Sequence, residues 1–396
     1  MLAAAIGGAL LLPVPAAADV STESPADQVL VVTANLQEAY SDKDVRDATD
    51  VDVFLRRASS LLPYAPDVLL LQEVRHRSAA YVARGLTART GSHYSVIVDP
   101  GVDPWHKARK KIVKKETAIV VNTDTMQPLG GGFLKTSYPR SESVDGRKPE
   151  LKNNAYALVQ ERASGLRVPL VSVHLSRWEN FRSKSSSDAR RKTWTTKIAS
   201  FLASKYPVAY ARTFGGDFNS ARCSSTVGGC RPTPFWNTAT NATLAFRDAV
   251  QTIAPDPGVD YVFTRGGIYD AGSDRAYDSK STGNDSARFY SDHKFRWSVI
   301  GADITAPTKP SGLDGSEQDP DVSLSWSSSS DNRSGVAGYE VWRARLNADF
   351  RLQAVTEGTS YRDDETWNGG NFRYYVVALD AAHNRSPRST VFEIKT

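Results

Sequence analysis

The stretch VPLVSVHLS (residues 168–176) runs largely apolar and then delivers His174. Four other short apolar runs end in the same way. VLVVTAN (29–35) closes on Asn35, DVLLLQEV (67–74) on Gln72 and Glu73, the run into GGDFNS (215–220) on Asp217 and Asn219, and FYSDHKF (289–295) on Asp292 and His293. Apolar runs of this length read as strands buried on both faces. Helix-like patterns lie between them, at VDVFLRRASSLL (51–62) and over 186–204. Strands alternating with helices argue for an α/β domain. A polar group at the end of a buried strand is costly unless it is paired or functional. Singly, Asn35 reads as a turn former, Glu73 as a helix N-terminal acid and His174 as a satisfied core histidine. Five such ends in one chain point to a site.

In order, the motifs are TANLQ, LLLQEV, ETAIVVN, VSVHLS, GGDFNS, DYVFTR and SDHKF, spanning Thr33 to Phe295. This set resembles the endonuclease/exonuclease/phosphatase superfamily, the deoxyribonuclease-I-like fold. The resemblance implies an α/β four-layer sandwich, two packed mixed β-sheets flanked by helices. It also implies hydrolysis of a phosphate ester by in-line attack of water, with a divalent cation stabilising the charge that builds on the phosphoryl and leaving oxygens. Carboxylate, amide and water ligands suit Mg²⁺, with Mn²⁺ and Ca²⁺ as alternatives, rather than zinc.

The resemblance assigns Glu73, Asn35 and Asp292 to the metal. Asp217 and Asn219 lie two apart on an extended segment, so their side chains point the same way. By resemblance Asp217 positions the attacking water and Asn219 binds phosphate. His174 and His293 suit general acid–base work near neutral pH, each needing a partner to fix its tautomer. Asp260 in DYVFTR matches the family's orienting acid for His293. Glu116 in KKETAIVV stands where secreted deoxyribonucleases place an acid supporting His174. Nuclease relatives place an Arg or Tyr that contacts substrate phosphate between ETAIVVN and VSVHLS. Here the segment is LKNNAYALVQ (151–160), offering Lys152, Asn153, Asn154 or Tyr156.

The chain has 396 residues, 40% of them hydrophobic, with 8 Trp, 16 Tyr and 14 Phe, which excludes a largely disordered protein. Two cysteines exclude a disulfide-framework miniprotein and a Cys-based zinc site. Residues 2–18, LAAAIGGALLLPVPAAA, are too short and Pro-broken for a membrane span and read as a secretory signal peptide (1–18) ending in small residues before Asp19. A secreted, extracellular protein with no transmembrane segment in its mature form follows. Cys223 and Cys230 flank SSTVGG, flexible enough to close a small loop, and an oxidising compartment favours the disulfide.

TAPTKPSG (305–312) is a linker signal. It divides a catalytic domain (19–305) from a C-terminal one (306–396). From Pro307 onward there are 10 Lys and Arg against 13 Asp and Glu, leaving 39 against 31 before it, so the basic surplus belongs to the first domain. DVSLSW (321–326) places Val322, Leu324 and Trp326 on one face, and GYEVWRA (338–344), TSYRD (359–363) and FRYYVVALD (372–380) follow at hairpin spacing. The segment resembles a fibronectin type III domain, an all-β immunoglobulin-like sandwich. It carries no chemical cluster, which leaves a spacer or a module that attaches to a surface or polysaccharide.

Three function classes remain open. A metal-dependent nuclease on DNA or RNA fits six positive charges over 107–115 and the cluster Arg182, Lys184, Arg190, Arg191 and Lys192, with Trp178, Phe181 and Trp194 placed to stack on bases. Arg190 and Arg191 join Asn154 and Tyr156 as expected substrate contacts. The other classes are a phosphoesterase acting on phospholipid, sphingomyelinase-like, or on small phosphate esters, and a non-catalytic binding protein on the same scaffold. A monomer is expected.

Overall fold

The computed structural model describes residues 25–36, 46–101, 105–108, 111–114, 116–136, 151–176, 184–207, 211–225, 231–250, 258–274, 291, 293–318 and 320–396. The leader at 2–18, Asp292, Cys230, Trp178, Phe181 and Arg182 lie outside them.

Two sheets carry the site. In the first, strands run in the order Gly267–Ser273, Arg296–Gly301, Gln28–Asn35, Val68–Gln72, Thr117–Asn122 and Tyr94–Val98. In the second the order is Arg247–Asp248, Asp260–Arg265, Arg212–Asp217, Arg167–His174, Leu151–Glu161, Lys111–Lys114 and Trp105–Ala108, with Met126–Thr136 also paired to Leu151–Glu161. Both are mixed. Gln28–Asn35 runs parallel to Val68–Gln72, Arg167–His174 parallel to Arg212–Asp217 and Lys111–Lys114 parallel to Leu151–Glu161, while the other pairs are antiparallel.

Strand alternation sorts the apolar residues into three cores, and three cores make four layers. Leu30, Val32, Leu69 and Leu71 pack against Phe54, Leu55, Val82 and Leu86 of the helices Arg46–Leu61 and His76–Thr90. Val29, Val31, Val68 and Leu70 turn the other way and meet Ala155, Ala157, Val168 and Leu170 between the sheets. Val171, Val173, Phe214 and Phe263 cover the far face, under Trp194, Ile198 and Leu202 of the helix Lys184–Lys205 and Phe235 of the helix Pro234–Thr240. The expected four-layer arrangement is the one found. One element differs. SDHKF is not part of a strand, because His293 to Phe295 form a connecting segment and the strand begins at Arg296.

From residue 311 onward the chain is all β. Ser311–Gln318, Asp321–Ser327 and Ser360–Asp363 form one sheet, and Arg351–Thr356, Val336–Arg345, Asn371–Asp380 and Phe392–Lys395 the other. Val322, Leu324 and Trp326 are buried between them with Val341, Tyr374 and Val376.

This sandwich docks on the α/β layers through the main chain. The Ile268 amide donates to the Ala382 carbonyl at 3.0 Å, and Arg247 donates to the His383 carbonyl at 2.8 Å. The Asp303 carboxylate accepts the Ser334 amide at 3.0 Å, and Asn384 donates to the carbonyls of Asp303 and Thr305 at 3.3 and 3.2 Å. Gly301 pairs with Gln28, at the opposite end of its strand from Asn35. Removing residues 307–396 therefore strips hydrogen bonds worth about 1 kcal/mol each without touching the strand ends that carry the polar residues. Calorimetry of the truncated chain should show a midpoint lowered by about 5–10 °C, with turnover within about threefold of the full chain. A truncated chain that folds but has lost turnover would mean that the sandwich shapes the site.

Candidate active site

Strand pairing gathers the site residues within each sheet, and the packing of the two sheets joins the two groups. Asn35 lies beside Gln72, His174 beside Asp217, and Asp217 beside Asp260. These residues face the layer between the sheets, at the end where that layer changes from Val and Leu to polar groups. Gly216 makes the approach possible, since at φ 143° an added Cβ would lie 1.9 Å from the Val173 carbonyl oxygen. The chain then turns sharply. Glu73 and Asn219 both adopt left-handed backbone, at φ 54° and 49°, a conformation that costs a non-glycine residue about 1–3 kcal/mol. In both cases the strained residue is one the sequence marks as functional.

Asp217 is the hub, and it is 1% exposed. Its Oδ2 accepts from Asn35 Nδ2 at 3.2 Å and from Asn219 Nδ2 at 2.9 Å, and its Oδ1 accepts the Asn219 amide at 2.6 Å. Two imidazoles converge on Oδ2, His174 Nε2 at 3.5 Å and His293 Nε2 at 3.8 Å. Each ring is backed by an acid at its other nitrogen. Glu116 Oε1 lies 2.8 Å from His174 Nδ1, and Asp260 Oδ2 lies 2.8 Å from His293 Nδ1. An acid at Nδ1 holds the proton there and fixes which nitrogen faces the site. Burial raises the Asp217 carboxyl above the usual range, and the Asp260 carboxylate adds to this, against the pull of His293 and His174.

Glu73 completes the group. Its Oε1 accepts from Asn35 Nδ2 at 3.3 Å and lies 3.6 Å from His174 Nε2, whereas Oε2 is buried with no hydrogen-bond partner. A buried, unsatisfied carboxylate oxygen is expensive. Glu73, His174 and Asp217 bring ligand atoms within 4.8 Å of one another. Two carboxylates with one oxygen still unused fit a hard divalent cation.

Beneath these groups Gln72 ties the sheets together. Its Nε2 donates to Ser172 Oγ at 2.9 Å and to Thr33 Oγ1 at 3.0 Å. The sequence marks Gln72 only as a polar strand end beside Glu73; its role in joining the sheets is visible only in the structure.

Eight of the expected residues are therefore brought together: Asn35, Glu73, Glu116, His174, Asp217, Asn219, Asp260 and His293. Asp292 is not among the described residues. Cys223 is disulfide-bonded, and Cys230 is the only other cysteine in the sequence.

Three expected substrate contacts have other roles. Asn154 is fully buried, accepting the His174 amide at 2.8 Å and donating to Thr136 Oγ1 at 3.2 Å, so it joins strands. Tyr156 packs edge-on against Phe201 with ring centroids 4.8 Å apart, under Lys205, on the helix-covered face. Arg191 is 2% exposed and donates to main-chain carbonyls. Arg190, next to it, is half-exposed. Lys152, one of the options for a phosphate contact, is buried instead. Its Nζ forms an ion pair with Glu116 and lies 3.3 Å from His174 Nδ1.

The chain belongs to the Endonuclease/Exonuclease/phosphatase family, whose profile matches residues 32–293. That family comprises phosphoric ester hydrolases that depend on a divalent metal. Among solved structures the chain is similar to an endonuclease/exonuclease/phosphatase from Bacteroides vulgatus, at 14% identity and a TM-score of 0.48, covering 70% of this chain and 99% of that one. It is also similar to a humanized D. rerio TDP2, at 15% identity and a TM-score of 0.42, covering 70% and 100%. A separate likeness joins 97 residues to chitinase Chi52 of Paenibacillus xylanexedens at 37% identity, 24% of this chain and 17% of that protein. The chain spans less than a fifth of the curated relatives it matches.

Proposed function

We propose that this chain is a secreted, Mg²⁺-dependent phosphodiesterase that hydrolyses nucleic acid. The observation that carries the reading is the Asp217 carboxylate between two acid-backed imidazoles, beside the unsatisfied oxygen of Glu73. Asp217 takes the hydrogen bond of the attacking water and aims it at phosphorus. His174 and His293 supply the proton for the leaving oxygen and a hydrogen bond to the phosphoryl group. Asn219, whose main-chain and side-chain N–H groups all go to Asp217 and the Leu175 carbonyl, holds the Asp217 carboxylate in position. Glu73, with Asn35 beside it, would hold the cation, which when bound neutralises charge building on the phosphoryl oxygens.

A polymeric anion is favoured by the basic surplus before residue 306 and by Arg190, Lys192 and Lys197 on the helix that follows the His174 strand. Secretion is supported by the apolar leader and the Cys223 disulfide. The likeness to a chitinase segment about as long as the C-terminal sandwich supports a role for that sandwich in attachment to polysaccharide.

Plasmid nicking tests the reading. Supercoiled DNA with Mg²⁺ should be nicked, EDTA should abolish nicking, and raising salt from about 50 to 200 mM should weaken binding by at least about tenfold. A folded protein that nicks neither DNA nor RNA with any divalent cation, but cleaves phospholipid or small phosphate esters, would overturn the nucleic-acid assignment.

A further inference from the structure

We propose that Arg191 is a positioning residue that locks the two catalytic strand ends, 174–176 and 217–219, in register. This rests on the phosphodiesterase reading above. The helix Lys184–Lys205 buries Ser187, Arg191, Trp194, Thr195, Ile198, Ala199 and Leu202, a stripe at helical spacing. An arginine there is out of place, because a buried guanidinium is costly unless every direction it points in is answered.

The answers come from the site. Arg191 Nε donates to the Phe218 carbonyl at 3.0 Å and Nη2 to the Ser176 carbonyl at 3.2 Å. Nη1 donates to Ser187 Oγ, and Asp188 Oδ1 stands 3.9 Å away. Phe218 lies between Asp217 and the strained Asn219, and Ser176 lies two residues after His174. The Leu175 amide donates to the Asp217 carbonyl at 2.9 Å, and Asn219 Nδ2 to the Leu175 carbonyl at 2.8 Å. The planar fork thus bridges two segments already bonded to each other, and it holds the carbonyl just before the left-handed turn. A lysine offers no such fork, and a leucine would leave both carbonyls unanswered. Arg191 sets where His174 and Asn219 stand relative to Asp217 and does not touch substrate.

The test uses the full chain with Arg191→Lys and Arg191→Met, plus the milder Ser187→Ala, which removes only the brace on the guanidinium. Turnover of bis(p-nitrophenyl) phosphate is measured well below each variant's unfolding midpoint, and imidazole ¹⁵N resonances of His174 are recorded without substrate. The expected result is kcat lowered about 10- to 100-fold with KM within about threefold. His174 resonances should be displaced, and Ser187→Ala should fall between wild type and the arginine variants. Folded variants with wild-type kcat overturn the proposal, as does a raised KM at unchanged kcat, which would make Arg191 a substrate contact. If the wild-type protein cleaves no phosphodiester, the functional reading fails, and the imidazole spectra still decide: displaced resonances uphold the positioning role and unchanged ones overturn it.

Discussion

Replacing Asp217 with asparagine is expected to lower turnover by about a thousandfold while leaving the protein folded, within the range lost with an acid–base group. The substitution keeps size and burial and removes the charge. It also sets like against like. Oδ2 accepts from two amide NH2 groups, Asn35 and Asn219, and Oδ1 accepts the Asn219 main-chain amide. An NH2 in either position faces a donor. The loss exceeds that of either histidine because both imidazoles meet at this carboxylate, so its removal displaces both at once. The raised carboxyl of Asp217 adds a pH signature. The wild-type rate should begin to fall on acidification at a higher pH than an ordinary aspartate would give, and that limb should be missing from the residual activity of Asp217→Asn. Turnover against pH for the two proteins checks both points. A variant within tenfold of wild type would remove Asp217 from the chemistry.

His174→Ala is expected to cost at least about a hundredfold in turnover. The ring links three carboxylates, with Nε2 near Glu73 and Asp217 and Nδ1 on Glu116. Without it Glu116 keeps Lys152 as its partner, so the acid stays compensated and the fold survives. The void left is imidazole-shaped, and added imidazole should restore part of the rate. Rates like those of wild type, or a loss that imidazole leaves untouched while Glu116→Gln has no effect, would count against a proton-transfer role. His293→Ala, with Asp260 behind it, should behave in the same way.

Much of this site could be read from the sequence because an apolar run that stops at a polar residue marks the end of a buried strand. An apolar run that ends in His, and another that ends in Gly-Gly-Asp, become neighbours as soon as the strands lie parallel, and His174 does pair with Asp217. The errors have the same origin. Ala155, Ala157 and Val159 face the inter-sheet core, so alternation sends Tyr156 to the helix-covered face. Arg191 sits in sequence among exposed basic residues, but Trp194 and Ile198 at i+3 and i+7 place it on the buried side of the helix. Lys152 gave no usable signal, since its ion pair with Glu116 spans 36 residues and depends on how separate strands come together. The strain at Glu73 and Asn219 is likewise a property of the fold, because any non-glycine residue can end a strand and few turn left-handed there.

The docked sandwich gives the molecule a front and a back. Its bonds grip the α/β layers at Ile268, Arg247, Asp303 and Thr305; Ile268 pairs with Ile300 and Ile300 with Val29, while Asn35 opens at the other end of that strand, about 20 Å away at the usual rise per residue. Wherever the sandwich settles, the hydrolytic mouth is held facing outward from the α/β layers' opposite pole. A polymer moored through the C-terminal module would therefore have to loop back to be cut, whereas strands drifting past would meet the mouth directly. If the C-terminal module moors the protein as proposed, this geometry would direct cutting at material other than the one that holds it.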